Sequence, residues 1–149
     1  MGFRKIALCF AGDEEIAAMA ELAAPLTPEN TGSALSCFSA SLEERQLILT
    51  MSGVGKVNAA LAAGFLLKRF QPDLIISAGV CGSLTGELGI GQTVLATGVY
   101  YHDMQMSLLQ DFYPSLEGPE FVCDPSLTDH ALTVFMEEDC AVRAGKIAT

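Results

Sequence analysis

The sequence predicts an α/β fold with a largely parallel sheet, on two observations. Short apolar runs alternate along the chain with longer segments whose apolar residues follow a 3.6-residue period. Several of those runs also end directly in glycine, as a strand does where it turns into a helix. Stretch 46–84, QLILTMSGVGKVNAALAAGFLLKRFQPDLIISAGVCGSL, shows both. Runs 46–51 and 74–78 are too short for helices and enter the clusters Ser52-Gly53-Val54-Gly55 and Gly79-Val80-Cys81-Gly82-Ser83. Between them Val57, Ala60, Leu61, Ala63, Phe65, Leu66, Leu67 and Phe70 recur at helical spacing. Strand, glycine turn, helix, strand is a βαβ unit, whose two strands are expected to be parallel and buried. Both glycine clusters then lie at the carboxyl ends of strands, the usual crevice for a ligand.

The remaining elements follow in order. Residues 5–11 (KIALCFA) form a short apolar run ending at Gly12, a first strand. A helix begins at Asp13, which can cap it, and the acids of its first turn suit the helix dipole. Residues 25–32 read as a loop. Residues 34–40 and 46–51 read as strands joined by a polar turn at 41–45. Residues 91–101 (GQTVLATGVYY), rich in Val, Thr and Tyr, read as another strand. From His102 to Cys123 there is no clean period, and Pro114 and Pro119 interrupt it, so a long loop is expected. Asp124-Pro125 is an N-cap followed by a proline at the first helical position, opening a helix over 126–138. Residues 142–149 (VRAGKIAT) begin as a last strand.

The totals narrow the function. A chain of 149 residues is one domain by length and long enough to bury a core. No apolar run reaches the roughly 18 residues of a membrane span. The start, MGFRKIALCFAG, runs into acids where a signal peptide would have its cleavage site. A net charge of −10 disfavours a nucleic-acid backbone or an anionic membrane as partner. The five cysteines are scattered, with no Cys-x-x-Cys pair, and only His102 and His130 could join them. No metal site is therefore expected, and reduced thiols in a cytoplasmic protein are.

Glu15, in the first helical turn after a strand, faces the carboxyl-end crevice and could orient and deprotonate a water. The same acid also reads as a solvated charge complementing the helix dipole. The Ser52–Lys56 turn is not a dinucleotide fingerprint, because Asn58 stands where its third glycine belongs. Nor is it a phosphate-cradling loop, since Val57 follows Lys56. The glycines of 79–83 let a ligand approach the main chain. Cys81 reads as a small buried residue and not as a nucleophile, with no basic partner near it in sequence. His102 and Asp103, adjacent on a strand, point to opposite faces and make no dyad by themselves. His130 reads as an ordinary surface or packing residue.

SGVGKVNAA, followed about twenty residues later by PDLIISAGVCGSL, resembles the purine nucleoside phosphorylase/nucleosidase superfamily, in particular its 5′-methylthioadenosine/S-adenosylhomocysteine nucleosidase branch. The resemblance implies a three-layer αβα sandwich with a mixed, mainly parallel sheet. In that branch the first strand runs into Ala-Met-Glu-Glu-Glu. Here it runs into Ala11-Gly12-Asp13-Glu14-Glu15, so Glu15 matches the glutamate that activates the attacking water. Val54 would pack near the sugar. Gly79, Val80, Cys81 and Gly82 would lie along ribose and base, with Val80 and Cys81 standing where the branch usually has Ser and Ala. His102-Asp103 would fall near a subunit interface. Phe112, Tyr113 and Pro114 would then lend apolar surface to the neighbouring subunit's pocket, or pack as an aromatic loop on their own domain.

The chemistry so implied is hydrolysis of the N-glycosidic bond of a purine nucleoside in a homodimer, without metal or organic cofactor. Phosphorylases of the superfamily carry Gly-Asp-Pro-x-Arg after the first strand, with the arginine on phosphate. Gly12-Asp13-Glu14-Glu15-Ile16 puts a carboxylate there and favours water as nucleophile. The cluster Gly-Val-Cys-Gly-Ser is closer to some phosphorylases and to the futalosine hydrolases, which keeps those activities open. The resemblance covers essentially the whole chain but about the first two-thirds of the family's domain. A ribose-holding Met-Glu pair and a Ser-Asp acid beyond it find no match, so these 149 residues alone are expected to show little or no activity. They could also be a non-catalytic half-domain acting in dimerisation or binding, with an exposed apolar face. An unrelated Rossmann module fits least, because Gly-Asp-Glu-Glu after the first strand lacks the glycine fingerprint.

Overall fold

The computed structural model describes residues 2–32, 35–115, 118 and 120–149. Ala34 of the expected strand over 34–40, and Leu116, Glu117 and Pro119 of the expected loop, lie outside the described residues. The chain is a mixed α/β protein of two compact units, residues 1–82 and 83–149.

In the first unit the strands are β1 (Lys5–Phe10), β2 (Thr27–Pro28), β3 (Ser36–Leu42), β4 (Arg45–Met51) and β5 (Leu74–Ser77), with helices α1 (Asp13–Leu22) and α2 (Lys56–Arg69). They form one sheet in the order β2-β3-β4-β1-β5. β4 and β5 are both parallel to β1, whereas β2, β3 and β4 run as antiparallel neighbours. The βαβ unit therefore spans β4 and β5 with β1 inserted between them. Side chains alternate across the sheet, and each face receives one helix. Leu8, Phe10, Leu47 and Leu49 pack with Ile16 and Ala23 on the α1 side. Ala7, Cys37 and Ile48 pack with Leu66 of α2 on the other. This unit is thus three layers deep, helix, sheet, helix. Leu66, Ile48 and Leu49 are fully buried, and each contributes about 1.5–3 kcal/mol over an exposed position.

Three expectations are corrected here. The first is that Asp13 caps α1. Gly12 is the N-cap, and Glu15 reaches back to its N–H, so a carboxylate one turn in replaces the usual cap side chain. The second is that both strands of the βαβ unit are buried. β4 is, through Leu47, Ile48, Leu49 and Thr50, but Ile76 of β5 is 40% exposed. Among the described residues β5 pairs with β1 alone. The third is that residues 25–32 are all loop. Thr27 and Pro28 pair with Ser39 and Phe38.

The second unit holds β6 (Thr93–Tyr100), α3 (Met106–Phe112), β7 (Phe121–Val122), α4 (Pro125–Glu137) and β8 (Val142–Ala148). The sheet order is β7-β6-β8, with β8 parallel and β7 antiparallel to β6. α4 starts as its sequence predicts, the Asp124 carboxylate accepting from Leu127 N–H at 3.1 Å ahead of Pro125. The expected loop from His102 to Cys123 instead contains α3 and β7. The helix holds two turns and buries Leu109, 4% exposed. No helix among the described residues is long and apolar enough to cross a membrane.

Candidate active site

The site is built where β4, β1 and β5 end side by side. β1 feeds α1 through Ala11 and Gly12, and Glu15 sits three residues into that turn. Its Oε2 accepts from Ala11 N–H at 2.7 Å and Gly12 N–H at 3.3 Å. Its Oε1 accepts from Val80 N–H, 2.9 Å away in the loop after β5. One carboxylate therefore ties together two loops 65 residues apart. Main-chain donation, first from Val80 and then from Ala11, holds the Glu15 carboxyl below its ordinary value, against a weaker opposing effect of burial. It is an ionised, half-buried carboxylate with a fixed orientation.

Gly79 is required for this approach. A Cβ there would stand 2.6 Å from Glu15 Oε1 and 2.9 Å from Cδ. The glycine lets the main chain come up to the carboxylate and present the next N–H to it. The group that comes close to the main chain of this loop is the Glu15 carboxylate, to which Val80 N–H is given.

On the other flank, Ser52 follows β4. Its N–H and its Oγ both donate to Phe10 O, at 2.8 and 3.1 Å, which lashes the turn to the end of β1. Gly53 and Gly55 take φ of 82° and 101°, where side chains are disfavoured. Val54 lies between them, 83% exposed, and Val80 is 87% exposed. Two apolar side chains therefore follow the strands on either side of β1, the strand that leads into α1 and its carboxylate. Cys81 and Gly82 continue the loop and are exposed, so Cys81 is not the buried packing residue expected of it. The reason is local: among the described residues no strand follows β5 until β6, and the loop runs over the surface.

Phe112, Tyr113 and Pro114 belong to the second unit. Phe112 and Tyr113 line a shallow apolar depression with Met104, Leu108 and Leu109, while Pro114 lies in the turn beyond and does not line it. Phe112 and Tyr113 are themselves exposed, 74% and 59%. His102 directs Nδ1 at the Thr149 carbonyl, 2.7 Å away. His130 is exposed on α4. All five cysteines are free thiols, and burial pushes those of Cys9 and Cys37 up. Among the described residues no three His, Cys, Asp or Glu side chains come together to hold a metal ion.

Sequence reasoning missed two residues that shape the first unit's sheet, Asn58 at this end and Asp73 at the opposite one. Asn58 donates from Nδ2 to the Val54 carbonyl at 2.8 Å. Asp73 accepts from Arg4 and Lys5 N–H, both at 2.9 Å, and holds the start of β1 against β5. An Asx side chain next to a glycine turn or a strand start is the signal that could have flagged both.

Residues 5–149 match the family model described as the phosphorylase superfamily. A 5′-methylthioadenosine/S-adenosylhomocysteine nucleosidase of Anoxybacillus flavithermus is 35% identical over 147 residues, covering 97% of this chain and 63% of the relative. Among solved structures, an S-adenosylhomocysteine nucleosidase from Streptococcus pyogenes, in complex with 5-methylthiotubericidin, superposes with a TM-score of 0.85 at 28% identity. That likeness covers 100% of this chain and 64% of the other. A futalosine hydrolase mutant of Helicobacter pylori gives a TM-score of 0.85 at 25% identity, covering 98% of this chain and 67% of that one. The chain thus spans about 63% of the length of the curated relative.

Proposed function

The chain belongs to the phosphorylase superfamily, and from that premise we propose that it supplies the water-activating part of a nucleosidase site. The reaction is hydrolysis of the N-glycosidic bond of a purine nucleoside such as 5′-methylthioadenosine or S-adenosylhomocysteine. The observation that carries this reading is the Glu15 carboxylate, held by three main-chain N–H groups at the carboxyl end of the sheet. An ionised carboxylate has about four acceptor positions. Three are occupied, two on Oε2 and one on Oε1, which leaves Oε1 able to take a proton of one water. Water so held attacks the anomeric carbon as the sugar becomes oxocarbenium-like and gives up its proton to Glu15, while the leaving purine takes a proton from an acid that these residues do not supply. The low basicity of Glu15 suits this, because a developing oxocarbenium needs an oriented water more than a strong base. The same fixed negative charge opposes an anionic phosphate, so water is the nucleophile. Val54 and the main chain of Gly79, Val80, Cys81 and Gly82 flank the sugar and base. The protein works without a cofactor, as a cytoplasmic homodimer in which the apolar segment at Phe112, Tyr113 and Pro114 serves the neighbouring subunit's pocket.

Adenine release by the full-length protein from 5′-methylthioadenosine tests this, with and without phosphate. Release in phosphate-free buffer, lost by at least about a hundredfold in Glu15→Gln, is the expected result. Release that requires phosphate, or that survives the substitution, would overturn it. The likeness to the futalosine hydrolase favours one second reading, the same hydrolysis on futalosine. Faster turnover of that nucleoside in the same assay would select it.

A further inference from the structure

We infer that Asn58 is a positioning residue whose side-chain amide sets the Val54 wall beside Glu15 and so the affinity for the sugar of the nucleoside. The inference rests on the nucleosidase reading of the same site.

The turn from β4 into α2 has little to hold it. Gly53 and Gly55 both have positive φ, and glycine carries the largest conformational freedom of any residue. The Val54 side chain is 83% exposed, so packing does not fix it. Hydrogen bonds at the two ends of the turn do. At the head, Ser52 is bound through N–H and Oγ to Phe10 O. At the tail, Asn58 Nδ2 donates to Val54 O at 2.8 Å. Asn58 is the third residue of α2, after the N-cap Gly55, and no side chain caps that helix. A Glu or Gln at this position commonly reaches back to accept from the N-cap N–H. Asn58 instead donates outward, to the carbonyl that precedes the cap. Gly53 is matched to it, since a Cβ there would stand 3.2 Å from Asn58 Nδ2. The amide thus lies against one glycine and pins the residue between the two.

The topology makes that residue matter. β4 neighbours β1 in parallel register, Phe10 opposite Met51. The Val54 turn therefore emerges beside the turn that holds Glu15. A nucleoside whose anomeric carbon meets a water on Glu15 presents its sugar to that flank.

The test is hydrolysis kinetics of Asn58→Asp and Asn58→Ala in the full-length protein. Asp keeps the shape but replaces the donor with an acceptor facing the Val54 carbonyl. A rise in KM of roughly three- to tenfold with kcat held within about twofold is expected, the size of one lost hydrogen bond and the signature of lost uniform binding. The carbonyl carbon resonance of Val54 should shift in both variants. A merely structural Asn58 would lower the melting temperature and leave KM of the folded enzyme alone, and that outcome would overturn the inference. If Asp disrupts folding, the alanine variant gives the same comparison. Hydrolysis that depends on Glu15 but ignores Asn58 overturns this inference alone. Hydrolysis that ignores Glu15→Gln, or none at all, overturns the nucleosidase reading and this inference with it.

Discussion

Residues 1–82 and 83–149 bury their apolar side chains to very different degrees. Among the described residues, twelve of the thirteen buried hydrophobics lie in the first unit, and Leu109 is the only one in the second. The first unit covers both faces of β1 and β4 with helices. In the second, β6 is mostly half-buried, β7 is exposed, and Phe121, Val122, Val134 and Met136 are open to solvent. The lesson is about where rigidity is available. The candidate carboxylate and its donors all sit on the unit that has a two-sided core, as a site that needs fixed geometry requires.

The largest expected effect separates the units by stability. Leu66→Ala removes a fully buried side chain from the α2 face and should cost about 2–5 kcal/mol by transfer and cavity terms. Val134→Ala on α4, where the side chain is 43% exposed, should cost under about 1 kcal/mol. Denaturant unfolding of both variants checks this. Equal losses would mean that the second unit is as tightly held as the first, and the contrast in burial would not be one of energy.

Next in size is Gly79→Ala, which separates activity from stability within the first unit. The new Cβ would fall 2.6 Å from Glu15 Oε1. The atom it meets is the far end of a flexible side chain, so the fold yields cheaply while the carboxylate is displaced. Hydrolysis should fall at least about tenfold, or 1.4 kcal/mol of transition-state stabilisation, with the melting temperature nearly unchanged. Activity that persists would show that Glu15 need not stand where Val80 N–H holds it.

The same contrast explains what could be read without coordinates. β1, β4 and α2 were legible because apolar period and glycine boundaries agree there, and α4 because Asp124-Pro125 writes its own start. α3 was not, since two turns between a polar stretch and Pro114 carry too few residues to establish a period. β2 and β7, two residues each, have no pattern to show. The run LIIS announced a buried strand, but burial depends on what lies beside β5, which no local pattern encodes. At the site, Glu15 was named by resemblance, since its local spacing by itself favoured a solvated acid. Its bond to Val80 and the need for a bare Cα at Gly79 join residues more than sixty positions apart, so only the folded chain displays them.

The smallest effect is acid-linked and belongs to the first unit as well. Glu15 has a folded-state pKa below its ordinary value of 4.5, through donation from Val80 and then Ala11. The unfolded chain therefore binds the proton more readily than the folded one, and stability rises with pH between the lowered value and the ordinary one. The contribution is complete above about pH 5 and is lost as pH falls through the lowered folded pKa. Asp73 adds in the same direction, its carboxyl lowered by donation from Lys5 and Arg4. Glu15→Gln removes one titration and leaves the other. The stability difference between unaltered protein and Glu15→Gln should be constant from pH 5 to 7 and shrink below pH 4.5. Unfolding followed by amide exchange resolves where this occurs: protection should weaken first at Ala11, Gly12 and Val80, whose N–H groups the carboxylate holds. Acid loss that begins instead around α4 and β8 would place the weak point in the second unit, and the rigidity of the site would then not be what limits the protein at low pH.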